Sequence, residues 1–289
     1  MIGLSASLLA VLSAPALAQT GPPLDLEMHL DPVTHENRFE AVVIERNGIA
    51  VRLTTDTWLR PKVTGYAQAA APIVVALGVP AGPNVPVTRN VAVTEGLPDI
   101  PVPGGDRAAL VTDDLANSML LNIADDLDGL TLAFPDGLVN GPGPDILIAK
   151  ASLPSGRISG GCPGVPASGA DAMVISVTAG GEITLAPEAF IDFGPAGPQL
   201  NHGTRELGEA EFRIETLTQL AELEMRPLAT IEYFKVYATT VNLSDLGIAE
   251  GASVETITLS STREMVETDN GQQLCWTADP ILVVGLGAV

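Results

Sequence analysis

Basic residues are scarce in this chain: 14 Lys and Arg stand against 35 Asp and Glu over 289 residues, a formal charge of -21. Such a surface repels the phosphates of nucleic acids and of anionic lipids, so nucleic acid is excluded as a partner. Aromatic residues make up only 4%, too few to build a broad platform for stacking sugars. The three histidines, His29, His35 and His202, are widely spaced. His35-Glu36 begins a zinc-protease-like pattern, but Phe39 stands where the second histidine must be. Neither a Gly-x-Ser-x-Gly elbow nor a Gly-x-x-x-x-Gly-Lys loop occurs. Among so many acids a carboxylate pair at glycosidase spacing arises by chance and carries no specificity. Together these absences weigh against an enzyme and assign no catalytic residue.

Cysteine is limited to Cys162 and Cys275. In an oxidising compartment the two would pair, closing a loop worth roughly 4 to 5 kcal/mol in the chain-entropy model. Two buried thiols are the alternative, and a metal site of two cysteines without a nearby histidine is not expected. Export is suggested by residues 1–18, an apolar run ending in Ala16-Leu17-Ala18, the small-x-small pattern cleaved by signal peptidase before Gln19. The basic segment that usually opens such a leader is missing. No other stretch reaches ~18 consecutive apolar residues, so no transmembrane segment is expected in the mature chain. The expected location is therefore secreted or periplasmic.

What the chain does have is apolar residues (46%), 29 glycines and 23 prolines, enough to bury a large core between many turns. Arg38 to Thr57 holds Asn47-Gly48 between two β-branched runs, the signature of a two-residue hairpin. A second hairpin is expected where Ala179-Gly180-Gly181 separates Ala172–Val177 from Glu182–Leu185, and a third around Asp269-Asn270-Gly271. Period-two alternation marks Ala210–Thr216 and Thr230–Val241. In the latter, Phe234, Val236 and Ala238 share one face, leaving Tyr233, Lys235 and Tyr237 as an outward stripe. That stripe is either a sugar-stacking surface or a strand face covered by a loop. Helical periodicity is weak, and its best candidate, Leu217–Met225, reads equally as strand. The pattern predicts an all-β protein, an antiparallel β-sandwich, as a single domain over 19–289. The Pro- and Gly-rich tract Gly78–Gly105 is the one boundary candidate, dividing an N-terminal hairpin subregion (19–100) from a main sandwich (101–289).

Val139 to Lys150 reads VNGPGPDILIAK. Its prolines hold φ near -65° and keep the preceding glycines out of the helical region, giving a stiff extended connector that launches the apolar run Ile146-Leu147-Ile148. Asp145 at its mouth either caps turn amides or binds a cation. Upstream, NIADDLDG (Asn122–Gly129) resembles an EF-hand loop but places Ala124 first and Pro135 twelfth, so that reading fails. A looser calcium site built from Asp125, Asp126, Asp128, Asp136 and Asp145 is the alternative to a solvated acidic turn.

The segment LTLAFPDGLVNGPGPDILIAKA from Leu130, and VNLSDLGIAEGASVETITL from Val241 to Leu259, resemble modules of bacterial exosortase-sorted surface proteins of the PEP-CTERM kind. The resemblance spans roughly Leu130 to Val289 and implies a jelly-roll-like sandwich. Sorted members continue into a Pro-Glu-Pro signal, a membrane helix and an arginine cluster, whereas Asp279–Val289 is too short and lacks a basic flank. A released or periplasmic member is the resulting expectation. It would be a non-enzymatic structural or adhesive protein of the envelope or extracellular matrix, partnered by polysaccharide or other envelope proteins and stabilised by Ca2+. The alternative is a carbohydrate-binding module or weak glycan-acting enzyme.

Overall fold

The computed structural model describes residues 24–30, 38–66, 74–78, 89–92, 108–109, 111, 113, 119–121, 129–152, 172–186, 189–203, 216–218, 224–225, 231–261 and 280–287. Among them the chain is built almost wholly of strands. In order these are β1 (Asp25–His29), β2 (Arg38–Arg46), β3 (Ile49–Thr54), β4 (Trp58–Leu59), β5 (Lys62–Tyr66), β6 (Val74–Gly78), β7 (Arg89–Ala92), β8 (Ala108–Ala109) and β9 (Met119–Leu121). There follow β10 (Leu130–Val139), β11 (Ile146–Ser152), β12 (Met173–Val177), β13 (Glu182–Leu185), β14 (Ile191–Gly203), β15 (Glu224–Met225), β16 (Ile231–Val241), β17 (Ser253–Ser261) and β18 (Pro280–Leu286).

Three antiparallel sheets stack. A seven-stranded sheet runs β4-β18-β11-β16-β14-β6-β9, a five-stranded sheet β13-β12-β17-β10-β5, and a three-stranded sheet β1-β2-β3. A small fourth sheet, β15-β7-β8, contains a parallel pair, β7 with β8, the only one among the described residues. The expected antiparallel sandwich is therefore present. The chain crosses between facing sheets twice at one end, because β10 is followed by β11, and β16 by β17, in the opposite sheet.

The seven-stranded sheet is covered on both faces around β11. Ile146 and Ile148 pack into a core with Leu130, Leu132, Ile175, Ile257 and Leu259 of the five-stranded sheet. Leu147 and Ala149 point the other way, into a second core with Phe39, Val42, Ile44 and Leu53 of the three-stranded sheet. Strands wet on one face alternate apolar and polar residues, whereas strands buried on both faces become continuous apolar runs. That explains Ile146–Ala149 and the run Ile281–Val284, every residue of which is buried. The segment read as a short C-terminal tail is thus an interior strand, β18, paired with β11 and, at its end, with β4. Gly285 marks a close approach, since a Cβ there would stand 2.7 Å from Leu138 Cδ1 and 3.2 Å from Phe134 Cε1.

The first two expected hairpins are found. Asn47 (φ 53°) and Gly48 (φ 76°) join β2 to β3 with Arg46 opposite Ile49, the left-handed pair that a type I′ turn requires. The β12–β13 hairpin closes through Val177 N–H to the Gly181 carbonyl at 3.2 Å. The third hairpin, and the alternating stretch from 211 to 215, lie outside the described residues. Of the helix candidate, Leu217–Thr218 form a fragment of helical turn and Glu224–Met225 are strand β15. The N-terminal strands β4 and β5 pair with β18 and β10, so the 19–100 subregion contributes to both facing sheets.

Candidate functional site

Two connectors cross between the facing sheets at the same end of the sandwich, residues 140–145 from β10 to β11 and residues 242–252 from β16 to β17. They hydrogen-bond to each other. The Asn140 N–H donates to the Ala252 carbonyl and the Gly251 N–H to the Asn140 carbonyl, both at 2.9 Å, while the Asp145 N–H reaches the Val241 carbonyl at 2.9 Å. These are the two segments that carry the surface-protein resemblance, and the fold places them side by side.

Side chains complete the junction. Asp145, 1% exposed, accepts from the Gly141 N–H through Oδ1 at 2.8 Å and from the Leu243 N–H through Oδ2 at 2.9 Å. One carboxylate thereby ties both crossings. Burial pushes its pKa above the ordinary value; the two amide bonds and the Arg46 charge pull it back. Asn140, equally buried, donates through Nδ2 to Ser244 Oγ at 2.9 Å and to the Ile248 carbonyl at 2.7 Å. Between these partners Asn242 caps a short 3-10 turn, Leu243–Leu246, by accepting from the Ser244 N–H. That turn ends at Gly247 in the left-handed region, and its Leu246 carbonyl accepts from Gly181 of the β12–β13 hairpin at 2.8 Å.

The third layer joins through Arg46, the last residue of β2. Its guanidinium is buried and donates to the carbonyls of Pro144 (3.1 Å), Leu286 (2.7 Å) and Gly287 (2.8 Å), while its Nε finds no partner among the described residues. Burial lowers its pKa from the usual value, opposed by attraction to nearby Asp145. Gly143, at φ +99°, is where the connector passes Arg46, for a Cβ there would lie 3.1 Å from the Glu45 carbonyl oxygen and 3.2 Å from Arg46 Cγ.

Of the five aspartates expected to hold calcium, Asp125, Asp126 and Asp128 lie outside the described residues. Asp136 is exposed at the bulge of β10, and Asp145 has both oxygens committed to amides. The amide-capping reading of Asp145 is the one its geometry supports. Among the described residues no three His, Cys, Asp or Glu side chains converge as metal ligands. Cys162 and Cys275 also lie outside the described residues. In the expected sugar-stacking stripe, Lys235 is paired with Asp192 through Nζ to Oδ2 at 2.7 Å. Tyr237 corrects the outward assignment, being 4% exposed within the main core. Both faces of β16 are buried there, so alternation separated two cores, with Val236 and Ala238 in the second. The side chain of Tyr233 lies outside the described residues.

Two buried cations went unnoticed in the sequence although their phase announces them. Arg46 follows Val42 and Ile44 on the inward face of β2, and Lys150 follows Ile146 and Ile148 on that of β11. Lys150 is fully buried with Nζ 5.2 Å from the centre of the Phe190 ring, a cation–π contact. No helix among the described residues is long and apolar enough to cross a membrane. No protein-family model matches the chain, and neither a curated protein nor a solved structure is found to match it.

Proposed function

We propose that this chain is an exported, non-enzymatic structural or adhesive protein of the bacterial envelope or extracellular matrix, with polysaccharide or other envelope proteins as partners. The observation that carries this reading is the use to which its buried polar groups are put. Asp145, Asn140 and Arg46 spend their hydrogen bonds on the main chain of other elements, tying three layers together. Such networks stiffen a fold and favour a single packing, which suits a load-bearing component. Export rests on the leader-like residues 1–18, and the Cys162–Cys275 bridge follows from it.

Calcium belongs to the same reading, held by Asp125, Asp126 and Asp128. Thermal unfolding with calcium and with chelator tests it. A ligand that binds only the folded state must raise the melting temperature, and identical curves would remove the ion from the proposal. Fractionation of the producing cells, with the N-terminus read by mass spectrometry, tests the location. A chain beginning at Gln19 outside the cytoplasm is expected, and an intact leader in the cytosol would overturn export. Attachment of a deletion strain to surfaces tests the role, with weakened attachment the expected result and unchanged attachment and envelope integrity against it.

A further inference from the structure

The chain carries Asn-Gly pairs in two contrasting described settings. Asn47 and Gly48 form the exposed tip of the β2–β3 hairpin, and a Cβ added at Gly48 would meet nothing within 4 Å among the described residues. Asn140 and Gly141 are buried in the crossing between the facing sheets. We propose that Asn47 is a site of spontaneous modification, converted in the folded protein to aspartate and isoaspartate through a cyclic succinimide, while Asn140 is protected.

In this reaction the Gly48 main-chain nitrogen attacks the Asn47 side-chain carbonyl carbon, and a bond forms between them. The Cγ–Nδ2 bond breaks, and ammonia leaves with the proton given up by the Gly48 nitrogen. Water then opens the ring. Cleavage between Gly48 N and Cγ yields aspartate; cleavage between Gly48 N and the original main-chain carbonyl yields isoaspartate, with the main chain rerouted through the side-chain carbon. One water is consumed, one ammonia is released, and nothing is oxidised or reduced.

Attack requires a free side-chain carbonyl, a free N–H on the next residue and room for the main chain to rotate. Glycine at the second position supplies the room, having no Cβ to obstruct the approach. Among the described residues no hydrogen bond holds the Asn47 side chain or the Gly48 N–H. At the second pair both reacting groups are pinned. Asn140 Nδ2 donates to Ser244 Oγ and the Ile248 carbonyl, and the Gly141 nitrogen, which would be the nucleophile, donates to Asp145 Oδ1 at 2.8 Å. Hairpin tips open locally far more readily than a hydrogen-bonded core junction. The product adds a carboxylate beside Arg46 and, as isoaspartate, one extra main-chain atom to a turn whose register places Arg46 opposite Ile49. Modification at the tip therefore acts on the strand end that latches the third layer.

The test incubates the full chain, folded and in denaturant, at mildly alkaline pH, followed by peptide mapping and isoaspartyl methyltransferase labelling. Acid should accumulate many-fold faster at position 47 than at 140 in the folded protein, and at comparable rates once the chain is unfolded. Asn47→Gly, which keeps a residue tolerant of positive φ in the turn, should abolish labelling at that peptide. An Asn47 amide that persists in the folded protein while reacting in the unfolded one would overturn the proposal. So would equal rates at the two positions in the folded chain.

Discussion

At the scale of single residues, stability concentrates where one side chain answers two main-chain donors. Asp145→Ala leaves the Gly141 and Leu243 amides without their acceptor, and buried amides left unpaired cost about 1 to 3 kcal/mol each. A loss of about 3 kcal/mol is expected from denaturant unfolding, with Asp145→Asn losing less because one oxygen remains. An Ala variant as stable as the parent would show that the carboxylate does not hold the crossings. Acid dependence distinguishes two aspartates. Asp113 accepts both guanidinium nitrogens of Arg60, at 2.8 and 2.9 Å, which holds its pKa below the ordinary value. Its contribution is present above the unfolded-state value and is lost as pH falls through the lower folded one. Asp145 has the opposite sign: burial raises its pKa, so its protonation contributes fully below the unfolded value and fades as pH rises through the folded one. Asp113→Asn should therefore cost stability at neutral pH, under about 1 kcal/mol because the pair is partly solvated. That difference should vanish in acid; urea midpoints measured across the acid range check it.

At the scale of elements, β11 is the strand on which two cores meet. Leu147 and Ile148 are both fully buried, on opposite faces. Leu147→Ala and Ile148→Ala should each cost about 2 to 5 kcal/mol, whereas in a two-layer sandwich one of them would face water and cost little. Chemical denaturation of the two variants decides between the arrangements. The hairpins were readable because Asn47-Gly48 and Ala179-Gly180-Gly181 are local turn chemistry. The destination of Tyr237 was not, because alternation reports only that two faces differ. When a third sheet covers the far face, the same period separates core from core.

At the scale of the whole molecule, three sheets are tied at one end by groups drawn from segments far apart in sequence: Arg46, Asn140 and Asp145, Leu243 to Ala252, and Leu286. A Cys162–Cys275 bridge would add a further long-range tie. Mass spectrometry without reductant should find the two cysteines joined, and reduction should lower stability by about 4 to 5 kcal/mol. Free thiols at both positions would remove the bridge.

The sequence by itself determined the class of fold, the type I′ turn at Asn47-Gly48, and the stiff connector ending in Asp145, because each depends on φ preferences and alternation within a few residues. Only the tertiary structure decided that Asp145 is an amide cap, that Arg46 clamps the end of β18, and that Pro280–Leu286 is an interior strand. Those outcomes depend on groups and apolar faces brought in from distant segments, 98 residues away for the Leu243 amide at Asp145 and 240 for the Leu286 carbonyl at Arg46, and local periodicity carries no record of the partner.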